Sequence, residues 1–359
     1  MNIFKAYKTE LKPNNKQITK LKMNCGAARF GFNFALERKK KAFESKEKIP
    51  NFVELSRELN KIKGTEDLHW AYEVSSVSFV EALRDCDTAF QNFFREIKKK
   101  NKKKVGFPKF KSRKNNKQSF KLKGSVQVLD NHIQLPRLGK IRLAQKDYFP
   151  KNVKILSATV SKRANKWFVS INVEENYKEK YEGNGVVGID LGIKTLAVCS
   201  DGTSFPNPRA LRKNLKKLKR KSKQLSSKKK GSKNRQKAKN RLSKVHYKIS
   251  NIRKDFLHKV TSKLVNENQV IVLEDLKISN MLKNHKLARA ISDVGMYEFR
   301  RQIEYKADWN NRTVVFVNQW FPSSKLCSSC AHKKENLTLG MRVYSCEKCG
   351  LEMDRDLNA

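Results

Sequence analysis

Val186-Val187-Gly188-Ile189-Asp190-Leu191-Gly192 is the stretch on which the reading of this chain turns. An apolar run of this kind belongs to a central sheet strand, and here it leads into a carboxylate. Val270-Ile271-Val272-Leu273 repeats the pattern and ends on Glu274. Such strands are expected to be covered on both faces, which leaves their terminal acids at the sheet rim, where open α/β sheets gather functional groups. Two further aspartates alternate in Asp354-Arg355-Asp356-Leu357-Asn358-Ala359. Only one of them can face the same way, and Asp356 is taken, with Asp354 as the alternate. Any one of these acids alone reads equally well as a cap on a following helix. Brought together they repel unless a cation intervenes. Hard divalent ions with oxygen ligands, Mg²⁺ or Mn²⁺, answer that need. Two such ions about 4 Å apart activate water and stabilise the leaving oxygen of a phosphodiester.

Outward from these strands the pattern is α/β. Leu196-Ala197-Val198-Cys199 and Val314-Val315-Phe316-Val317 read as further strands. Ile249, Ile252, Phe256, Val260 and Leu264 recur at helical spacing, and residues 287–310 are helical in character. Strands alternating with helices imply a partly parallel sheet. Gly183-Asn184-Gly185 marks a boundary before this unit. On its other side, Ile3 to Leu11 alternate as a strand that Pro13 ends. From Gln17 the period becomes helical, and Phe79, Leu83, Cys86, Phe90, Phe93, Phe94 and Ile97 form a stripe read as core packing. Residues 118–178 alternate again, with turns at Asp130-Asn131 and Arg163-Ala164-Asn165. They predict a β-rich barrel or sheet that the first strand joins, which makes the helical unit an insertion.

Charge bounds the partners. The 359 residues hold 80 Lys+Arg against 34 Asp+Glu, a net charge of +46. Self-repulsion on this scale calls for a polyanion, and nucleic acid is the obvious one. No long apolar run or amphipathic anchor points to a membrane. The opening Met1-Asn2-Ile3-Phe4-Lys5 is unlike a signal peptide, so a cytoplasmic protein is expected. Residues 212–248 are dense in Lys and Arg with no acids interleaved, which favours phosphate contact by groups such as Arg220, Lys221, Lys233 and Arg235 over a merely solvated helical hairpin. Lys109, Lys111, Arg113 and Lys117, interleaved with Phe107, Phe110 and Phe120, suggest backbone contacts beside stacking groups.

Seven cysteines divide into three isolated ones and two Cys-x-x-Cys knuckles, Cys327/Cys330 and Cys346/Cys349, with residues 331–345 between them. This is the pattern of one structural Zn²⁺ held by four thiolates, with no position left for catalysis. His332 is a weaker candidate ligand. Gly350 follows the second knuckle, but Ala331 follows the first, at some cost in backbone freedom.

At this point the residues resemble a family, TnpB, the transposon-encoded RNA-guided nucleases related to compact type V CRISPR effectors. The resemblance runs through nearly the whole chain. Leu11-Lys12-Pro13 and Gly26 to Asn33 are similar to the family's opening, and Gly106-Phe107-Pro108-Lys109-Phe110-Lys111 to its next landmark. Val187 to Gly192, Leu273-Glu274-Asp275-Leu276 and Asp354 to Ala359 resemble the three RuvC motifs, and Gly231 to Arg235 and Arg253 to Lys259 the bridging helices. Pro322-Ser323-Ser324-Lys325-Leu326-Cys327 leads into the ribbon as in the family. The resemblance implies a multidomain α/β protein: a wedge-like β-barrel (1–16 and 104–178), a helical recognition domain (17–103), a RuvC nuclease domain of RNase H-like fold (183–326 and 350–359) and a zinc ribbon inserted in it (327–349). It implies catalysis by Asp190, Glu274 and Asp356, a guide RNA from the transposon end, and a double-stranded DNA target cut beside a short adjacent motif. A single protein chain per ribonucleoprotein is expected. A cleavage-deficient RNA-guided repressor is the alternative, but such derivatives are expected to lose RuvC carboxylates, and all three stand here. Ala331 and Val294-Gly295-Met296-Tyr297 depart from the family pattern, which also continues through a helix beyond the position of Ala359.

Overall fold

A computed structural model describes residues 2–99, 106–113, 118–150, 153–176, 183–318, 320–337 and 341–358. The chain divides into two units, Met1–Asn176 and Tyr177–Ala359.

In the first unit β1 (Asn2–Lys12) ends before Pro13, and Asn14 starts α1 (Asn15–Glu44). Asn14 accepts the Gln17 backbone N–H while the Gln17 side chain accepts that of Asn14, a reciprocal cap. Asn51 and Glu54 make the same cap on α2 (Phe52–Lys63), a helix the periodicity passed over. Then comes α3 (Ser76–Lys98), carrying the phenylalanine stripe. The remaining strands are β2 (Gln118–Leu122), β3 (Gln127–Val128), β4 (His132–Leu135), β5 (Gly139–Leu143), β6 (Lys154–Arg163) and β7 (Lys166–Asn176). Their sheet runs β2-β6-β7-β1-β5-β4-β3, so the first strand lies inside it and the helices stand between β1 and β2 in the chain. Between β6 and β7, Ala164 and Asn165 take φ of 50° and 66°, the paired left-handed turn that matches strand twist. Among the described residues no ladder closes β2 onto β3, yet Phe120 and Leu122 share one core with Ile133, Leu135, Leu21, Phe32 and Phe79. Helices α1 and α3 pack against the β2 end of this sheet.

That core corrects one expectation. Phe107 sits 5.2 Å from the rings of both Phe90 and Phe93, and Phe120 is buried. Only Phe110 of the three remains exposed. Burying a Phe is worth about 1.5–3 kcal/mol.

In the second unit β8 (Gly185–Leu191), β9 (Thr195–Cys199) and β10 (Ser204–Pro206) form a meander, followed by the basic helices α4 (Ala210–Ser226) and α5 (Lys233–Glu267). Next come β11 (Asn268–Glu274), the short α6 (Ile278–Met281), α7 (Ala288–Val294), α8 (Met296–Trp309) and β12 (Thr313–Val317). The sheet order is β10-β9-β8-β11-β12, parallel at β8-β11-β12 and antiparallel elsewhere. Gly295, at φ +81°, breaks the expected 287–310 helix into α7 and α8. Leu257, Val260, Leu264, Phe299 and Ile303 of α5 and α8 cover one sheet face through Val187, Ile189, Ile271 and Leu273. The other face is not covered in the same way. Val186 and Val315 are exposed, so the apolar run does not mean two-sided burial here. The chain closes with β13 (Val343–Ser345), β14 (Glu352–Asp354) and α9 (Arg355–Asn358).

Candidate active site and metal centre

The open sheet face carries the acids. In the parallel ladder of β8 and β11, Ile189 stands opposite Leu273, and both enter the core. Side chains alternate along a strand, so the next residues, Asp190 and Glu274, project side by side from the other face. Asp190 thus lies within β8, opposite Val198 of β9, and not past the strand's end. Glu274 closes β11, and among the described residues its Oε1 accepts a 2.9 Å hydrogen bond from Ser323 Oγ. The third carboxylate comes from α9. There Asp354 Oδ1 accepts the Asp356 backbone N–H at 2.9 Å, so Asp354 is the local cap. Asp356 is the member of the pair that shares a cavity with Asp190.

Burial, and then the charges of Glu274 and Asp356, push the Asp190 carboxyl up to about 6. Arg342 reaches Asp356 only at 3.8 Å. The donor set is all oxygen and carries excess negative charge, which fits a hard divalent cation such as Mg²⁺. Among the described residues the carboxylates do not form a group with all ligand atoms within 4.8 Å of one another; the four cysteines do.

Gly192 shapes the turn after Asp190. A Cβ there would stand 2.8 Å from the Thr195 carbonyl oxygen, so only glycine permits the turn. Beyond it opens a cavity of about 750 Å³. Asp190 and Asp356 line it, and Lys194, Arg209, Arg212 and Arg289 bring positive charge to its walls. The start of α4, which supplies Arg212, is held by Asp293, whose carboxylate accepts the Leu211 and Arg212 backbone N–H groups. Asp293 and Arg289 carried no recognisable sequence signal.

The ribbon forms as its spacing implies. Cys327 and Cys349 Sγ lie 3.5 Å apart, and Cys330 and Cys346 3.6 Å. A zinc tetrahedron with bonds of about 2.3 Å has sulfur–sulfur edges of about 3.8 Å, so the cluster fits Zn²⁺. The Cys349 backbone N–H, reinforced by that of Lys348 against burial, brings the Cys346 thiol down to about 6. His332 is not in the cluster. Ala331 takes φ +55°, as Gly350 takes +72°, so the left-handed turn is kept without its glycine.

The expected nucleic-acid contacts fare unevenly. Arg220 and Lys233 are exposed on α4 and α5, and Lys221 is half-buried beside Gln224. Arg235 instead donates to the Leu225 and Lys228 carbonyls at 2.8 Å each and ties the two helices together. Lys109 and Arg113 are exposed, but Lys111 lies 3.7 Å over the Phe32 ring and pairs with Asp85. Lys117 falls outside the described residues. Among those residues no helix is long and apolar enough to cross a membrane.

A family model described as a probable transposase matches residues 168–285, and one for a Cas12f1-like TNB domain matches 297–359. A third, described as a helix-turn-helix domain, matches 1–48, which here form a strand and one long helix. Relatives named "Putative RNA-guided DNA endonuclease" match nearly the whole chain. That of Streptomyces pristinaespiralis is 37% identical, over 99% of this chain and 87% of its own. That of Escherichia coli strain K12 is 34% identical, over 100% of this chain and 91% of its own. A solved Cas12f1 complex with guide RNA and target DNA covers 99% of this chain and 97% of its own at 16% identity and a TM-score of 0.37. The chain belongs to the TnpB family.

Proposed function

We propose that this protein is an RNA-guided DNA endonuclease that hydrolyses phosphodiester bonds at a RuvC-type site formed by Asp190, Glu274 and Asp356. The observation that supports the reading is that Asp190 and Glu274 follow the paired Ile189 and Leu273 on the β8–β11 ladder and Asp356 lines the same cavity as Asp190, whose carboxyl is raised by burial and then by the charges of Glu274 and Asp356. When bound there, Mg²⁺ or Mn²⁺ supplies the Lewis acidity that makes a water nucleophilic and steadies the leaving oxygen. Asp190 and Glu274 hold the cations from the sheet and Asp356 holds them from α9. Arg209, Arg212 and Arg289 along the adjoining cavity draw in and orient the phosphodiester. Neutralising strand phosphates is also the work of exposed cations on α4 and α5, Arg220 and Lys233 among them.

The first unit then serves as a wedge-like sheet with a helical recognition insertion, and sequence choice rests on guide pairing. The guide comes from the transposon end, the target is double-stranded DNA beside a short adjacent motif, and one protein chain acts per ribonucleoprotein. The test is to purify the protein with its RNA, sequence that RNA, and offer plasmids with and without the matching target. Cutting confined to the matched plasmid is expected. Equal cutting of an unrelated plasmid by RNA-free protein contradicts the guide assignment.

A further inference from the structure

The segment 323–328 touches both halves of the carboxylate site and carries a zinc ligand. At its start Ser323 Oγ donates to Glu274 Oε1 at 2.9 Å. At its end Ser328 offers its backbone N–H to Asn358 Oδ1 at 3.0 Å, while Asn358 Nδ2 donates to the Leu326 carbonyl at 2.6 Å. Leu326 and Ser328 flank Cys327, so one carboxamide pairs with the peptide groups on both sides of a zinc thiolate. Asn358 is 5% exposed, which makes an unpaired partner there costly. The side chain is also the right one. A planar amide has a donor and an acceptor together; Asp would set oxygen against the Leu326 carbonyl, and Leu would strand both peptide groups.

Asn358 lies in the same single turn, Arg355–Asn358, as Asp356. Glu274 is therefore held from one end of the segment and the Asp356 helix from the other. Further bonds stiffen the segment between them: the Lys334 backbone N–H donates to the Lys325 carbonyl at 2.9 Å, and the buried Tyr344 hydroxyl donates to it at 3.2 Å.

We infer that Ser323 and Asn358 are positioning residues that make the zinc ribbon part of the cation site, so that zinc at the four cysteines presets the spacing of Glu274 and Asp356. This rests on the reading of Asp190, Glu274 and Asp356 as the cation ligands. Because coupling between binding sites is reciprocal, divalent cation at the carboxylates also tightens the ribbon's hold on zinc.

Mn²⁺ binding to the full chain with its RNA, followed by calorimetry, tests this without reference to cleavage. Zinc content is measured alongside. Ser323→Ala and Asn358→Leu are expected to keep one zinc per chain and bind Mn²⁺ about 10-fold weaker, the lower end of what outer-shell partners of metal ligands contribute. Stripping zinc from the unaltered protein is expected to weaken Mn²⁺ binding to the same degree, and to weaken it no further in Asn358→Leu. Should Asn358→Leu lose zinc, Ser323→Ala, which removes one hydroxyl distant in sequence from the second knuckle, carries the test. Mn²⁺ affinity within twofold of the unaltered protein in zinc-loaded Ser323→Ala, or indifference of the unaltered protein to zinc removal, overturns the inference while Asp190→Ala still abolishes binding. Mn²⁺ binding no stronger in the unaltered protein than in Asp190→Ala overturns the cation site itself, and the inference with it.

Discussion

The Arg253 guanidinium meets the buried Asp293 carboxylate at 2.9 Å, and that carboxylate also accepts the backbone N–H groups of Leu211 and Arg212. One buried acid thereby joins α7, α5 and the first turn of the basic helix α4. Removing one partner of a buried pair leaves the other uncompensated, at about 3–5 kcal/mol. Asp293→Ala should lower the unfolding free energy of the second unit by roughly that amount. Thermal unfolding should show Asp293→Ala/Arg253→Met losing less than the sum of the two single changes. Additive losses would show that the two residues do not act as a pair.

The Asp190 carboxyl rises from an ordinary 3.8 to about 6. A raised acid takes up its proton on folding between those values, so its charge opposes folding above them and the penalty fades as pH falls through the window. At pH 7 the shift corresponds to about 3 kcal/mol, or about 1–2 after screening at a half-buried group. Asp190→Asn should therefore stabilise the protein without divalent cation by that amount at pH 7, and by less at pH 5. Urea unfolding at the two pH values measures the difference; no stabilisation at pH 7 contradicts the burial of Asp190 beside the charges of Glu274 and Asp356.

Ala331 holds a left-handed turn at φ +55° beside the first zinc knuckle. A residue with a Cβ gives up about 1 kcal/mol there relative to glycine. Ala331→Gly should bind zinc about fivefold more tightly in chelator competition, since about 1.4 kcal/mol corresponds to a factor of ten. Unchanged or weaker zinc retention would mean that the turn is not under strain.

Lys233 and Arg235 should separate in their response to salt. Lys233 is exposed at the start of α5, whereas Arg235 bridges to the end of α4. Lys233→Gln should reduce the slope of log affinity for RNA against log salt by about 0.7–0.9, the share of one phosphate. Arg235→Gln should leave that slope alone and cost about 0.5–1.5 kcal/mol of stability through the loss of its two carbonyl contacts, one half-buried and one exposed. Reversed effects would exchange their roles.

What sequence reading reached here follows from local physics. The apolar strands that carry Asp190 and Glu274, the cysteine knuckles and the helical periods of α1, α3 and α5 are each set within a few residues, so pattern alone finds them. Contacts across the chain are different. Nothing in the phenylalanines said that Phe110 stays outside while Phe107 and Phe120 enter the core, because that depends on where α3 and the sheet meet. The same limit hid Asp293, 82 residues from the Leu211 amide it caps. The alternation at Asp354 and Asp356 showed that only one acid could serve; the division of labour between cap and cavity became visible only with α9 in place.

The most direct test of the central claim is cleavage of a matched plasmid by the protein with its copurified RNA, run with Mg²⁺, with chelator, and with Asp190→Ala. Linear product with Mg²⁺ alone is predicted, with none under chelation and at least about a 1,000-fold loss of rate in the variant, whose RNA binding stays intact. Asp190→Ala cutting at the unaltered rate, or cutting under full chelation, would contradict the assignment.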